Sequence, residues 1–198
     1  MKKSFVIISI LSIAYSESFW LSADASITAA LEGKNNSPYM DVVMEGLALA
    51  TPFIEFGHAG FRQIENNELS PVLISSLGVQ LPIAIGKYVF KRHRPQRQYR
   101  PRLWNSRFTP SFPSGHAATT AAWVATISFA DSKYSLPLAG YTLITGYSQV
   151  YVGNHYVSDI IAGWVLGYAI AFIADNLINN KNSKTNELPQ LRFSIPLL

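Results

Sequence analysis

The sequence predicts an all-α fold: a helical bundle of about five to six helices, partly or wholly embedded in a membrane. Three observations predict it. Apolar residues recur at helical spacing over long stretches, while period-two alternation is weak. Small residues gather inside those stretches, at Gly46, Ala48 and Ala50, at Ala117, Ala118, Ala121 and Ala122, and at Gly163 and Gly167, as in helices that pack closely. The composition is 48% hydrophobic and only 14% charged, with a mean hydropathy of +0.14, high for a soluble enzyme and low for a chain made mostly of membrane helices. A length of 198 residues suits one domain with one sizeable core. The apolar content and a net charge of only +4 exclude disorder as the dominant state. The absence of cysteine removes disulfides, thiolate nucleophiles, iron–sulfur clusters and cysteine zinc sites.

Along the chain, Lys2 and Lys3 precede an apolar run over 5–15. That run falls short of the roughly 20 residues a bilayer span needs and matches a secretory signal, with Ala14-Tyr15-Ser16 or Ala23-Asp24-Ala25 as cleavage-type sites. Residues 1–25 are therefore read as a signal peptide or N-terminal anchor, which predicts export of the domain C-terminal to it. Residues 17–37 are polar and close in the loop composition of 33–38. Helical patterns occupy 40–61, 71–91, 115–130, 136–152 and 157–178, placing the main domain at 26–180 and a tail at 181–198. Asp41, Glu45, Glu55 and His58 interrupt the first of these patterns, Gln80 and Pro82 the second, and Asp159 and Asp175 flank the last. A charge near a bilayer centre costs about 3 kcal/mol or more, so only some of these segments suit a span. His58, on an apolar helix, reads as a satisfied core histidine.

Charge is concentrated. Residues 87–107 hold half of the sixteen basic residues, and no acidic residue occurs between Glu68 and Asp131, a distribution that attracts an anion. No nucleic-acid motif accompanies it. In Lys87-Tyr88-Val89-Phe90-Lys91-Arg92-His93-Arg94-Pro95, a helix stopped by Pro95 sets Lys87, Lys91 and Arg94 on one face as a clamp for phosphate oxygens, with His93 off that face. Pro113-Ser114-Gly115-His116 opens a helix whose free N–H groups and dipole favour an anion, although a plain helix cap with an incidental histidine has the same sequence. His155 and Asp159 are four apart, so that a helical start would let the carboxylate hold Nδ1–H and aim Nε2 outward as a nucleophile.

With these residues in that order, the chain resembles the type 2 phosphatidic acid phosphatase superfamily of lipid phosphatases, bacterial acid phosphatases and vanadium haloperoxidases. The family signatures Lys-x6-Arg-Pro, Pro-Ser-Gly-His and Ser-Arg-x5-His-x3-Asp match Lys87 to Pro95, Pro113 to His116, and Ser148 to Asp159. The resemblance implies that His155 attacks phosphorus, Asp159 holds its imidazole, and His116 protonates the leaving oxygen and then activates water. It implies that Lys87, Arg94, Ser114 and the Gly115 N–H bind the phosphate oxygens, with no metal and no cofactor. One position departs: Gln149 stands where the family has a phosphate-binding arginine, and brings neither charge nor a bidentate fork. Three readings follow: a slower enzyme, a substrate that supplies other contacts, or rescue by Arg97, Arg100, Arg102 or Arg107, with rescue or altered specificity favoured because His116, His155 and Asp159 are all present.

The expected function is a metal-independent phosphatase acting on a phosphate monoester or diphosphate, on a lipid, through a phosphohistidine. Trp104, Phe108 and Phe112 between the first two motifs suit a membrane interface or a core. The expected partners are a phosphorylated lipid or small phosphate ester and a membrane, not nucleic acid. The expected location is the bacterial inner membrane with a periplasm-facing site, or the periplasm itself. The rival readings are a soluble periplasmic acid phosphatase and a non-catalytic phosphate- or lipid-binding membrane protein with a decayed site.

Overall fold

The computed structural model describes residues 21–65 and 70–186. The apolar run over 5–15, most of the expected signal or anchor and the last part of the expected tail lie outside the described residues. Helices account for the architecture: α1 (Leu21–Leu31), α2 (Pro38–Glu65), α3 (Pro71–Gly78), α4 (Gln80–Phe90), α5 (Gly115–Ala130), α6 (Ser135–Tyr151) and α7 (Val157–Asn186). Among the described residues there is no strand.

Two helices leave large apolar residues exposed and turn carboxylates inward. In α1 the face that meets the rest of the chain carries Asp24 and Thr28 and continues to Glu32 just past its end, while Leu21, Ile27 and Leu31 are exposed. In α2 the buried face mixes Asp41, Glu45, Thr51 and Glu55 with Met44, Ala48 and Ala59, and Tyr39, Phe53, Ile54, Phe61 and Ile64 are exposed. The stretch 17–37, expected to be a polar connection, thus forms a helix over 21–31; its polar residues are four apart and each has a partner inside. Buried carboxyl groups need such partners, and each has at least one, although Glu55 Oε2 is buried without one. Asp41 accepts from Tyr151 at 2.8 Å and from Arg102 at 2.9 Å; Glu45 accepts from Tyr99 at 2.6 Å; Glu55 accepts from Thr120 at 2.6 Å. His58 accepts from Trp123 Nε1–H at 3.1 Å, as a satisfied histidine inside the bundle should.

The pattern read as one helix over 71–91 is divided at Val79, between α3 and α4. Pro82 has no N–H to offer the Gly78 carbonyl, which accounts for the break in an otherwise continuous rod. Pro71–Phe90 and Val157–Ile178 are each long and apolar enough to cross a membrane. Leu81, Ile85 and Tyr88 on α4, and Ile161, Val165, Phe172 and Leu177 on α7, lie exposed on their outer faces. α7 runs to Asn186, beyond the expected end at 178.

α5 and α7 make the tightest contact. A Cβ on Gly163 would lie 2.7 Å from the Ser114 carbonyl oxygen, and one on Gly167 would lie 2.1 Å from that of Ala118. The small residues 117, 118, 121 and 122 face those two glycines, so the backbones approach with almost no side chain between them. Below this seam Val79, Ile83, Ala118 and Ala122 form an apolar core with Leu166 and Ile170. On the other side of α7, Gly146 of α6 admits the Trp164 ring. The site-bearing ends (the start of α5, the end of α6 and the start of α7) meet at one end of the bundle beneath the loop 91–114.

Gly167→Val is expected to destabilise the detergent-solubilised protein by about 3 kcal/mol or more, because the backbone carbonyl opposite cannot yield. Gly57→Ala, on α2 with nothing within 4 Å of its Cβ position, should be neutral or stabilising by up to about 1 kcal/mol. Thermal unfolding of both variants checks the contrast, and equal Tm values would refute the close-approach account.

Candidate active site

The cleft at this end of the bundle has a volume of about 520 Å³. Arg94, Arg107, His116, Gln149, Asn154 and His155 form its polar wall; Leu49, Pro52, Phe53, Trp104 and Phe108 form its apolar wall. Trp104 and Phe108 are exposed, whereas Phe112 packs edge-on against Phe90 with ring centroids 4.8 Å apart.

His155 and Asp159 meet, but not on one helix. α7 begins only at Val157, so Asp159 sits in its first turn and His155 in the preceding turn. Gly153, at φ +66°, reverses the chain after α6 and a Cβ there would collide with Glu32. The His155 Nδ1 lies 3.3 Å from Asp159 Oδ2, and its Nε2 lies 3.2 Å from Arg94 Nη1. With Nδ1–H donating to the carboxylate, Nε2 presents its lone pair to the cleft wall. Burial pushes the imidazole down to about 4, with Arg94 adding to the fall and Asp159 opposing it. His116, the second residue of α5, is also pushed down to about 4, first by burial and then by Arg94 and Lys87.

The basic segment does not form the single helical face expected of it. α4 stops at Phe90, Lys91 caps it at φ 48°, and Arg94 lies in the extended chain beyond the cap. From these two conformations Lys87 and Arg94 both reach carbonyls of the segment 108–110. Lys87 Nζ donates to the Pro110 carbonyl at 2.8 Å, Arg94 Nε donates to the Phe108 carbonyl at 2.6 Å, and Arg94 Nη1 also donates to the Asn154 carbonyl. Arg94 is lowered to about 10, by burial first and then by Arg107. Ser114 is the N-cap of α5: its Oγ accepts from the Ala117 N–H at 3.4 Å and its own N–H donates to the Asp159 carbonyl at 3.1 Å. Ser114 is fully buried, and it, Gly115 and Lys87 lie behind the cleft wall rather than on it.

Gln149 faces the cleft but its amide is engaged at both ends. Nε2 donates to the Ala48 carbonyl at 3.1 Å and Oε1 accepts from Asn154 Nδ2 at 3.0 Å. Asn154 in turn accepts Arg97 Nη2 on Oδ1 at 2.6 Å. Gln149 and Asn154 thus hold the turn that carries His155.

Sequence reasoning missed Arg92 and Asp24. Arg92 Nη1 lies 2.7 Å from Asp159 Oδ1 and its Nη2 lies 2.6 Å from Asp24 Oδ2, while the guanidinium covers the Tyr156 ring at 3.9 Å. Asp24 also accepts the Ser158 N–H at 3.1 Å, close to the start of α7. The histidine-holding carboxylate is therefore itself held from behind. Arg92 was hidden in a run of cations, and Asp24 lies more than sixty residues from its partner. Among the described residues no three His, Asp or Glu side chains gather as a metal site would require.

An undecaprenyl-diphosphatase of Sulfolobus acidocaldarius is 36% identical over 93 residues, covering 46% of this chain and 45% of that protein. A lipid A 1-phosphatase of Rhizobium etli is 39% identical over 57 residues, covering 29% and 25%. The chain spans less than half the length of the curated relatives it matches. The structure of a transmembrane PAP2 type phosphatidylglycerolphosphate phosphatase from Bacillus subtilis superposes with a TM-score of 0.67 at 21% identity, over 95% of this chain and 96% of that one, which establishes a shared fold. The PAP2 superfamily profile matches residues 69–183, more than half of the chain and all three motif segments, and with that match the chain belongs to the PAP2 superfamily.

Proposed function

We propose that this chain is a membrane-embedded phosphatase that hydrolyses a phosphate ester or diphosphate on a lipid, with His155 as nucleophile. The observation that carries this reading is the aim of His155: Nδ1 is held by a buried carboxylate and Nε2 stands beside a guanidinium at the cleft. In the first step Nε2 attacks phosphorus in line, the P–O bond to the leaving group breaks, and His116 supplies the leaving oxygen with a proton. In the second, His116 takes a proton from water, whose oxygen attacks the phosphohistidine and releases phosphate. Arg94 on the cleft wall, with Lys87, Ser114 and the Gly115 N–H behind it, stabilises the charge that gathers on the equatorial oxygens.

The lipid part of the reading rests on the apolar wall of the cleft, the outward apolar faces of α2, α4 and α7, and the lipid substrates in the names of the relatives. We place the site end of the bundle on the periplasmic side, on the strength of the export-type N-terminus. The contacts of Asp24 with Arg92 and Ser158 favour a retained anchor over cleavage at 23–25.

His155→Ala is expected to reduce phosphate release from a polyprenyl diphosphate or phosphatidic acid by about 10³-fold or more and to abolish acid-labile labelling by a ³²P-substrate. Undiminished labelling in that variant would exclude His155 as nucleophile. A second expectation concerns pH. Because burial holds His155 well below its ordinary value, it stays neutral at pH 5.5, where an imidazole at 6.5 would be about nine-tenths protonated. The acid limb of kcat/KM should therefore lie near pH 4, and a limb near 6.5 would contradict the buried geometry. Arg92→Gln removes the cation from Asp159, so the carboxylate binds the imidazolium more strongly and the limb moves upward. A kcat loss of about ten- to a hundredfold should accompany that shift, with Asp24→Asn milder in the same direction. A fall in kcat with an unmoved limb would assign Arg92 to folding alone.

A further inference from the structure

The cleft holds more cation than one phosphate requires, and the surplus is arranged in order. Of the arginines in the loop 91–114, Arg92 and Arg102 are neutralised by carboxylates, Arg92 by Asp24 and Asp159 and Arg102 by Asp41. Among the described residues no carboxylate lies within 4.0 Å of Arg94, Arg97, Arg100 or Arg107, and of these Arg94, Arg97 and Arg107 reach the turn that carries His155. Glu32, the carboxylate that most affects Arg97 and Arg107, has Oε1 occupied by the N–H groups of Gln98 and Tyr99 at 2.7 Å.

These three guanidiniums are hung on consecutive residues of the turn that carries the nucleophile. Arg94 reaches His155 Nε2 and the Asn154 carbonyl, Arg97 reaches the Asn154 side chain, and Arg107 Nη1 reaches the Gly153 carbonyl and, at 3.0 Å, that of Pro95. The ladder therefore steps away from His155 as it goes from Arg94 to Arg107. The electrostatics run in the same order: Arg94 acts on both histidines, whereas Arg107 acts on Arg94 and Arg97. Arg107 is half-buried on the cleft wall, and the Arg97 Nε behind it is buried without a hydrogen-bond partner. Like charges held together in a partly desolvated wall repel one another, and a bound anion relieves that repulsion.

Resting on the phosphatase reading above, we propose that Arg107, backed by Arg97, forms a second phosphate position one step outward from the His155–His116–Arg94 site, so that the cleft selects diphosphate esters over monophosphate esters. Gln149 leaves this step open, since its amide is tied to Ala48 and Asn154 and places no cation between the two positions. In the reaction, His155 Nε2 bonds to the terminal phosphorus and the bridging P–O bond breaks. The electron pair departs with the lipid monophosphate, whose phosphate Arg107 holds, and water then frees inorganic phosphate from the imidazole. A phosphate leaving group, whose second ionisation lies near about 6, needs far less protonation than an alkoxide. Burial, Arg94 and Lys87 hold His116 below the ordinary imidazole range, which makes its protonated form scarcer, and a phosphate leaving group depends on that form less than an alkoxide does.

The test uses the full chain in detergent with a polyprenyl diphosphate and the polyprenyl monophosphate of the same tail. Arg107→Gln is expected to lower kcat/KM on the diphosphate by about ten- to a hundredfold more than on the monophosphate. Equal losses on both substrates, or no loss on either, would overturn the proposal. Arg107 also ties two carbonyls, so Arg107→Lys, which keeps the charge, serves if the glutamine variant fails to fold; it should retain part of the diphosphate preference. A binding measurement stands apart from catalysis: methylenediphosphonate should bind wild type at least about tenfold more tightly than inorganic phosphate, and Arg107→Gln should erase that difference. If wild type hydrolyses neither lipid but this preference is present, the phosphatase reading fails and the second position stands. If hydrolysis occurs with no preference for the diphosphonate, the reverse holds.

Discussion

The close approach of α5 and α7 is the constraint on which the site depends. Gly163 and Gly167 allow the α7 backbone to reach the carbonyls of Ser114 and Ala118, and a side chain at either position would push the helices apart. With the helices in contact, the Ser114 N–H reaches the Asp159 carbonyl at 3.1 Å. That single distance brings the start of α5, with His116, beside the start of α7, with the carboxylate that holds His155. An interface of glycine and alanine gains little from burying apolar area, but it leaves almost no freedom in relative position, and position is what a two-histidine mechanism needs.

A second theme is the sorting of charge. α1 and α2 turn their carboxylates inward and leave most of their large apolar residues exposed, the reverse of a soluble bundle. Those carboxylates organise the loop 91–114, which has no helix or strand of its own. Glu32 and Glu45 bind its backbone N–H groups at Gln98, Tyr99, Arg102 and Leu103, and Asp24 and Asp41 take Arg92 and Arg102 out of play. Of the arginines left without a carboxylate partner among the described residues, Arg94 and Arg107 line the cleft, and Arg97 ties the Asn154 side chain beside it. A net charge of +4 thereby becomes a local field at one end of the molecule.

The path from sequence to site was uneven for physical reasons. Helices α2 and α5 to α7 were legible because apolar periodicity and small-residue clusters are local signals, whereas the division of 71–91 into α3 and α4 was passed over, because apolar periodicity continues across it. α1 was not, because its packing face is polar and spaced four apart, a pattern that periodicity of apolar residues overlooks. Lys87 and Arg94 were correctly brought to one region but on a mistaken helical face, since the chain leaves the helix at Lys91 through a left-handed cap. The spacing of His155 and Asp159 correctly brought them together, although a turn and not a helix does so.

The sequence by itself determined the helical class, the three motif segments and the residue types available for phosphate chemistry, because each is encoded within a few neighbouring positions. Only the tertiary structure decided which of eight clustered cations are free and which are neutralised, because their partners, Asp24 and Asp41, are about sixty residues away. It also decided that Gln149 braces the turn that carries His155, since the Ala48 carbonyl that engages its amide lies 101 residues distant. Electrostatic pairing acts through space, and a chain's local pattern carries no record of which distant charge it will meet.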